Sequence, residues 1–179
     1  GRAGMLVSSL EAFERYQLNE AWVWELQALT RARPVAGNHE VAVAFQQVRK
    51  TVLTQNRDQQ QVRKEVLKMR ERMRQQINSL NALKHGEGGL LDIEFVVQLG
   101  VLLSAGNFPA IIESTDTAGQ LRALHDCGWL SANQFKVLGE AYYELTSARQ
   151  KVELSKETHV VDASGLLQKA KALCNEILR

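Results

Sequence analysis

The sequence predicts an all-α protein: a bundle of about six or seven helices around one buried central helix, at about residues 90–104. Only two prolines interrupt the 179 residues, and alternating runs of β-branched residues are scarce. Several stretches instead repeat apolar residues every three or four positions, which is the period of an amphipathic helix. A chain of this length is long enough for one domain with a sizeable core.

The central helix is predicted from the stretch Leu90–Leu103, which is apolar at almost every position. A helix that is hydrophobic nearly all round is buried on most sides. At about 15 residues it is shorter than the roughly 20 residues that cross a bilayer, so we expect a core helix and no membrane span. Glycines at positions 86, 88 and 89 predict a turn just before it.

The polar residues of this helix allow two interpretations. Asp92 lies in the first turn, where a carboxylate stabilises the positive end of the helix dipole. Glu94 and Gln98 are four residues apart and share one narrow stripe, which suits a solvent-facing groove. The alternative is that Gly88, Gly89 and the two carboxylates line a functional cleft.

The first helical pattern begins at Ser8 or Ser9, with Ser8-x-x-Glu11 as a candidate capping box, and ends before Pro34. A break is expected near Asn19. We expect one face to be core and the opposite face to be a second packed or ligand-facing surface. The core face contains Leu18, Trp22, Leu26 and Leu29, and the second face contains Glu20, Trp24, Gln27 and Arg31.

Three residues of this segment are candidates for binding. Trp24 either packs against a neighbouring helix or contacts a ligand. Arg31 and Arg33 either offset the negative helix C-terminus or hold phosphates, for which the guanidinium fork is well suited. Lys84, just before the glycine turn, is a further candidate.

The remaining helices are predicted from apolar periodicity and capping residues. The long helix at about 58–82 has a charged face, which is typical of a solvated surface. No aromatic residue interleaves these charges, and the formal net charge of the chain is only +2. We therefore expect no nucleic-acid binding. The other predicted helices are 39–53, 117–127, 131–157 (with Ser131-x-x-Gln134 as a capping box) and a last one from Asp162 or Ser164, with a short apolar piece at 110–112.

No catalytic constellation is visible in the sequence. The four histidines are scattered, and we find no Ser/His/Asp set, phosphate-binding loop or cysteine spacing typical of a metal site. Cys127 and Cys174 stand alone, which indicates inert thiols in a reducing, cytoplasmic setting.

Five spaced motifs run through most of the chain. They are Gly1-x-x-Gly4-Met-Leu-Val, Phe13-x-x-Tyr16, Ala21-Trp-x-Trp-Glu-x-Gln-Ala-Leu-x-Arg-Ala-Arg33 with Gly37, Val66-x-x-Met69-Arg-x-x-Met73-Arg74, and Gly88-Gly-x-x-Asp-Ile-Glu-Phe-x-x-Gln98. In these motifs the chain resembles the bifunctional glutamine synthetase adenylyltransferase/adenylyl-removing enzymes of bacteria. The resemblance is weakest after about residue 145.

The resemblance implies a helical module that follows a nucleotidyltransferase domain, with residues 1–7 as the tail of that domain and 8–179 as the bundle. The tryptophan motif and the Met-Arg-x-x-Met-Arg helix look like the C-terminal, adenylylating half, with the removing half as the alternative. The family transfers AMP from Mg-ATP to a tyrosine of glutamine synthetase. Its metal-binding carboxylates lie in motifs that would be upstream, so the resemblance implies that these residues alone are inactive and bind neither Mg²⁺ nor ATP.

The resemblance also implies partners: glutamine synthetase, the P-II nitrogen-signal protein, and glutamine as an effector. In one interpretation the module completes the active-site cleft, with Trp24, Arg31, Arg33, Lys84 and the segment 88–94 facing it. In the other it is a docking module for glutamine synthetase or P-II. A polar cleft between the 20–31 face and the 86–94 turn would favour the first, and an exposed apolar patch on the 131–179 helices would favour the second.

Overall fold

The structure, a computed structural model, describes residues 8–75, 82–155 and 164–178. Within these ranges the chain is helical and contains no β-strand, which confirms the predicted all-α class. The helices are α1 (Leu10–Asn19), α2 (Val23–Thr30), α3 (His39–Leu53), α4 (Gln59–Gln75), α5 (Ala82–His85), α6 (Leu90–Ser104), a 3₁₀ helix (Pro109–Ile112), α7 (Thr117–Asp126), α8 (Ala132–Ser155) and α9 (Ser164–Leu178).

Helix α6 is the centre of the bundle. Every residue from Leu90 to Ser104 is buried except Glu94, Gln98 and Leu103. It contacts α2, α4, α5, α7, α8, α9 and the 3₁₀ helix. A helix with apolar side chains on all sides can be enclosed by neighbours in this way, and its few partly exposed positions mark where the enclosure is incomplete.

The first helical segment is interrupted at residues 20–22, close to the expected break. Glu25 fixes the interruption, because its carboxylate accepts hydrogen bonds from the backbone N–H of Trp22 and from the Tyr16 hydroxyl, both at 2.9 Å. The break resets the helical phase. The prediction that Trp22 lies in the core is therefore wrong: Trp22 precedes α2 and is 64% exposed.

Most of the other predicted boundaries agree with the structure within a few residues. The N-cap of α1 is Ser9, whose hydroxyl accepts from Ala12 N–H, so the box predicted at Ser8 and Glu11 is wrong. The box predicted before α8 is confirmed, since Ser131 and Gln134 exchange backbone-to-side-chain hydrogen bonds. Three predictions lie outside the described residues. They are the continuation of the long helix through residues 76–81, the tail of a preceding domain at residues 1–7, and the possible start of the last helix at Asp162.

Arg49 joins three elements beneath the C-terminus of α2. Its side chain is 2% exposed and donates to the carbonyl oxygens of Leu29 (3.0 Å), Thr30 (2.6 Å) and Ile112 (2.6 Å). Two of these carbonyls end α2 and the third ends the 3₁₀ helix, and such terminal carbonyls have no partner within their own helix. Burial lowers the pKa of the Arg49 guanidinium, but an arginine stays charged at any physiological pH.

None of the helices in the described ranges combines the length and the apolar character that a membrane crossing requires.

Replacing Arg49 by methionine is expected to destabilise the bundle. The substitution keeps an unbranched apolar stem but removes one buried donor from each of three carbonyl oxygens, of which Leu29 retains the Ala32 backbone N–H and Thr30 retains the Gln120 amide. Loss of a buried hydrogen bond costs about 1–3 kcal/mol, and we expect the free energy of unfolding in urea, followed by circular dichroism, to fall by about this amount. Lys50→Met, which removes the neighbouring exposed cation, is the matched control, and an equal effect of both substitutions would contradict the role assigned to Arg49.

Candidate functional site

A row of polar side chains lies between α2 and α6, and we call it the α2–α6 seam. It consists of Gln27 and Arg31 from the first helical segment and of Glu94 and Gln98 from the central helix. The Gln27 amide N–H donates to the Gln98 side-chain oxygen at 2.9 Å, and an Arg31 guanidinium nitrogen lies 3.0 Å from a Glu94 carboxylate oxygen. The two stripes that the sequence indicated separately therefore face each other.

The seam changes from buried to exposed along its length. Gln27 is only 4% exposed, and its side-chain oxygen is buried without a hydrogen-bond partner. The Arg31 side chain is 42% exposed and that of Glu94 is 20% exposed. A surface ion pair of this kind contributes little to stability, about 0–1 kcal/mol. Arg31 is therefore accessible to an anion that could compete with Glu94.

Buried hydrogen bonds fix the end of α2 beside the seam. Arg49 donates to the last carbonyls of α2, and the Gln120 side-chain amide donates to the Thr30 carbonyl at 2.8 Å. Arg31 follows directly as the C-cap residue of α2. Its backbone is thus positioned by two buried donors, whereas its side chain remains partly in solvent.

Trp24 lies on the same helix, seven residues before Arg31. It is 48% exposed and, with Trp22, borders a shallow recess of about 40 Å³ against α4. Glu65, Lys68, Met69 and Arg72 form the α4 side of this recess. Aromatic faces attract cations, and the α4 side of the recess contains one carboxylate and two cations.

Asp92 is the centre of a second, buried group, which we call the Asp92 cluster. Its carboxylate accepts hydrogen bonds from Arg70 Nε (2.7 Å) and Nη2 (2.6 Å), from Arg74 Nη2 (2.8 Å) and from the Gly88 backbone N–H (2.8 Å). Arg70 is 5% exposed and Asp92 is 1% exposed. The cluster joins α4, the glycine turn and α6 through one carboxylate.

Helix α9 is tied to the same cluster. Arg70 also donates to the Asn175 side chain at 2.9 Å, and Lys171 forms an ion pair with Glu87 in the glycine turn. Gly88 has a φ of +77°, and a Cβ at this position would overlap the Leu167 carbonyl and lie 2.7 Å from the Lys171 backbone nitrogen. Only glycine allows the turn to approach α9 this closely.

The charges of the cluster determine how Asp92 titrates. Burial opposes ionisation, but the hydrogen bonds from Arg70 and Gly88 and the charges of Arg70 and Arg74 outweigh it and lower the pKa of Asp92. Burial also raises the pKa of the neighbouring Cys174 thiol to about 12, which leaves it protonated and unreactive near neutral pH.

The structure separates the predicted site residues into two groups. Gly88, Gly89 and Asp92 are buried, and Gly88 packs directly against α9. Glu94 lies two residues after Asp92, about 200° around the helix, and faces α2 instead. The exposed or partly exposed candidates are Trp24, Arg31, Arg33, Lys84 and Glu94.

Several important residues were not identified from the sequence. Arg70 follows Val62 and Val66 at four-residue spacing, so a position on the apolar stripe of α4 could have indicated burial. Arg49 likewise lies beside Val48 and Val52 on the buried side of α3. A cation on an apolar stripe was the available signal, but its partners are distant in sequence.

The described residues do not form a metal site. No group of three or more His, Cys, Asp or Glu side chains in these ranges is arranged to hold a metal ion. The nearest acidic candidates already have cationic partners, since Asp92 pairs with two arginines and Glu94 pairs with Arg31.

Comparison with protein families gives two matches. Residues 1–48 match the family model described as glutamate-ammonia ligase adenylyltransferase, and residues 42–173 match the model described as GlnD PII-uridylyltransferase. The first range contains Trp24 and Arg31, and the second contains the Asp92 cluster and the helices from α3 to most of α9.

Individual relatives are bacterial and much longer than this chain. A bifunctional glutamine synthetase adenylyltransferase/adenylyl-removing enzyme of Pseudomonas aeruginosa is 42% identical over 90% of this chain and 18% of its own length. Enzymes of the same name from Acinetobacter baylyi and Methylococcus capsulatus are 37% and 45% identical, over 97% and 79% of this chain and 20% and 15% of their own lengths. The chain thus spans about a fifth of these relatives or less.

Replacing Gly88 by alanine tests the close approach of the glycine turn to α9. Gly128 provides a matched control, because it also has a positive φ (+81°) but a Cβ there would meet no atom within 4 Å. Both substitutions carry the backbone strain of a left-handed residue, about 1–2 kcal/mol. Only Gly88→Ala adds steric overlap, for which about 1–3 kcal/mol is typical. Equal losses of unfolding free energy for the two variants would contradict this packing.

Replacing Asp92 by asparagine tests the buried cluster through its pH dependence. At pH 7 we expect a loss of roughly 3–5 kcal/mol, because the buried Arg70 loses its counter-ion and the partly buried Arg74 keeps only Glu87. Because folding lowers the pKa of Asp92, its ionised carboxylate stabilises the folded state fully above the pKa of about 3.9 that it has in the unfolded chain. This stabilisation is lost as the pH falls through the pKa of the folded state. The difference in unfolding free energy between the two proteins should therefore be constant near neutral pH and shrink below about pH 4. A difference that persists unchanged at pH 2 would contradict the assignment.

Proposed function

Because this chain belongs to the family of the bifunctional glutamine synthetase adenylyltransferase/adenylyl-removing enzymes, we propose that it is the helical module next to the nucleotidyltransferase domain of the adenylylating half. The whole enzyme transfers AMP from ATP to a tyrosine of glutamine synthetase with Mg²⁺, in the cytoplasm, under control by P-II and glutamine. The metal-binding carboxylate motifs of the family are not among these 179 residues, so the isolated chain is expected to be inactive.

The exposed end of the α2–α6 seam carries this proposal. Arg31 lies within the tryptophan motif, its side chain is 42% exposed, and its ion pair with Glu94 is of the weak surface kind. When the catalytic domain closes on the module, Arg31 exchanges Glu94 for a phosphate oxygen. Its planar fork binds two such oxygens at once.

The other exposed or partly exposed candidates are Trp24, Arg33 and Lys84. Trp24 offers a flat apolar face, with Glu65, Lys68 and Arg72 beside it. Arg33 follows Arg31 and adds positive charge at the end of the segment, and Lys84 contributes a further cation near the glycine turn. In-line nucleotidyl transfer depends mostly on positioning and on charge stabilisation. The module's part is therefore to position the nucleotide phosphates and exclude water.

Gly88, Gly89 and Asp92 have a different part in the proposal. They keep α4, α6 and α9 in fixed register, and so they act on the seam only through the position of α6. Their substitution should lower stability before it changes the chemistry.

The alternative function is a docking or regulatory module for glutamine synthetase or P-II. A specific feature favours it: an exposed groove with aromatic walls runs between α7 and α8, and Tyr143 there is 70% exposed. The two functions are compatible, since an enzyme acting on a protein must both hold its substrate and complete its active site. The corresponding module of the adenylyl-removing half is the remaining alternative.

Arg31→Ala in the full-length enzyme tests the proposal directly. Loss of a charge-assisted hydrogen bond of about 1.5–3 kcal/mol corresponds to a fall of roughly 10- to 100-fold in kcat/KM for transfer of labelled AMP to glutamine synthetase. Arg31→Lys should recover part of the loss, because it keeps the charge but not the bidentate geometry. Arg15→Ala removes an exposed arginine on α1 and should have no effect.

Two outcomes would contradict the assignment. Transfer that is unchanged in Arg31→Ala would exclude the contact with phosphate. A fall in removal of AMP, with transfer unchanged, would assign the module to the other half of the enzyme.

A further inference from the structure

A groove of about 390 Å³ lies between α7 and α8, on a part of the surface separate from the seam and the Asp92 cluster. Leu121 and Arg122 line it from α7, and residues from Phe135 to Gln150 line it from α8. Its walls are mainly apolar and aromatic. Neither the proposed transfer of AMP nor the packing of the bundle uses it.

The length of the groove indicates the size of its occupant. The α8 residues that line it recur every three or four positions from 135 to 150. At 1.5 Å per residue they extend over about 22 Å, or four helical turns. A trough of this length, open along one side, matches an amphipathic helix of about 15 residues better than a compact small molecule.

Gly139 is the first of two features that the bundle itself does not explain. Glycine inside a helix costs about 1 kcal/mol relative to alanine. A Cβ at Gly139 would meet no atom within 4 Å, so no neighbour in the structure requires glycine there. Gly139 lines the groove, where its missing side chain leaves a hole that could accept a side chain of a packed helix.

Thr146 is the second feature. Its hydroxyl oxygen is buried and has no hydrogen-bond partner in the structure, although Thr146 lines the groove. Buried polar atoms in native proteins are nearly always paired. A partner seated in the groove would cover Tyr143, which is 70% exposed.

The charges select among possible partners. Among the described residues that line the groove, Arg122 alone is charged, so the occupant should present a carboxylate at that end. A second copy of α8 fits poorly, because antiparallel pairing about the middle of the groove would bring Glu140 near Glu144. Both side chains are exposed, and like charges in contact oppose association.

We propose that the α7–α8 groove docks an amphipathic helix of glutamine synthetase, with an apolar stripe over Gly139 and Tyr143 and a carboxylate at Arg122. The identity of the partner rests on the proposed function, because an enzyme that modifies a protein needs a contact with it outside the reacting tyrosine. In the part of the chain that the structure describes, the groove has a length and a lining that suit such a helix.

The test measures binding of purified glutamine synthetase to the full-length enzyme by biolayer interferometry. Arg122→Glu reverses the charge at the end of the groove, and Gly139→Leu fills the hole; each should raise Kd at least tenfold. Lys136→Glu makes the same charge reversal on α8 outside the groove and should change Kd less than twofold. In assays of AMP transfer, the two groove variants should raise KM for glutamine synthetase while kcat at saturating substrate is maintained.

Several results would overturn the inference. Unchanged Kd and KM in Arg122→Glu would exclude the groove, whether or not Gly139→Leu folds. Loss of P-II binding with normal binding of glutamine synthetase would exclude the proposed partner. Binding of glutamine synthetase is measured separately from the effect of Arg31→Ala on AMP transfer. The docking proposal can therefore be contradicted while the role of Arg31 is supported, and the role of Arg31 can be contradicted while the docking proposal is supported.

Discussion

The buried carboxylate of Asp92 is the interaction on which the arrangement of the bundle depends. It accepts four hydrogen bonds from two arginines and one backbone N–H, and these donors belong to α4 and the glycine turn. A buried ion is tolerated only when its hydrogen-bonding capacity is satisfied. The glycine turn must therefore keep its geometry, and α9 must pack directly on it. The position of α6 follows from these constraints.

Because α6 is fixed on one side, its other side can present polar groups at a defined position. Asp92 and Glu94 are two residues apart but point to opposite sides, so structural and candidate functional chemistry are separated on a single helix. The seam beside Glu94 is supported by a second buried cation, Arg49, whose three carbonyl partners are the ends of short helices. Arg31 thus combines a well-positioned backbone with an accessible side chain. That combination suits a residue that contacts a ligand only when domains close.

Local sequence was sufficient to predict much of the fold. The apolar run of α6, the cap at Ser131 and the ends of α3 and α7 depend on neighbouring residues, and their prediction agrees with the structure. Trp22 was assigned to the wrong environment because the helix is interrupted at residues 20–22. The Glu25 carboxylate stabilises this interruption, and the helical phase of α2 therefore differs from that of α1. The arginine partners of Asp92 are 18 and 22 residues away, and the carbonyl partners of Arg49 are 19–63 residues away; one sequence contains no information that pairs them. Motifs shared with the family identified the segment around Arg31, but only the structure shows that it faces Glu94 rather than the glycine turn.

The central claim is that Arg31 acts in the chemistry whereas Asp92 acts in the framework. The most direct test measures the thermal midpoint and the rate of AMP transfer for Arg31→Ala and Asp92→Asn in the full-length enzyme, well below the midpoint of either variant. We expect Arg31→Ala to lower the rate with little change in Tm, and Asp92→Asn to lower Tm while the folded enzyme keeps its rate. A lower rate at unchanged Tm for Asp92→Asn, with a normal rate for Arg31→Ala, would contradict this division of roles.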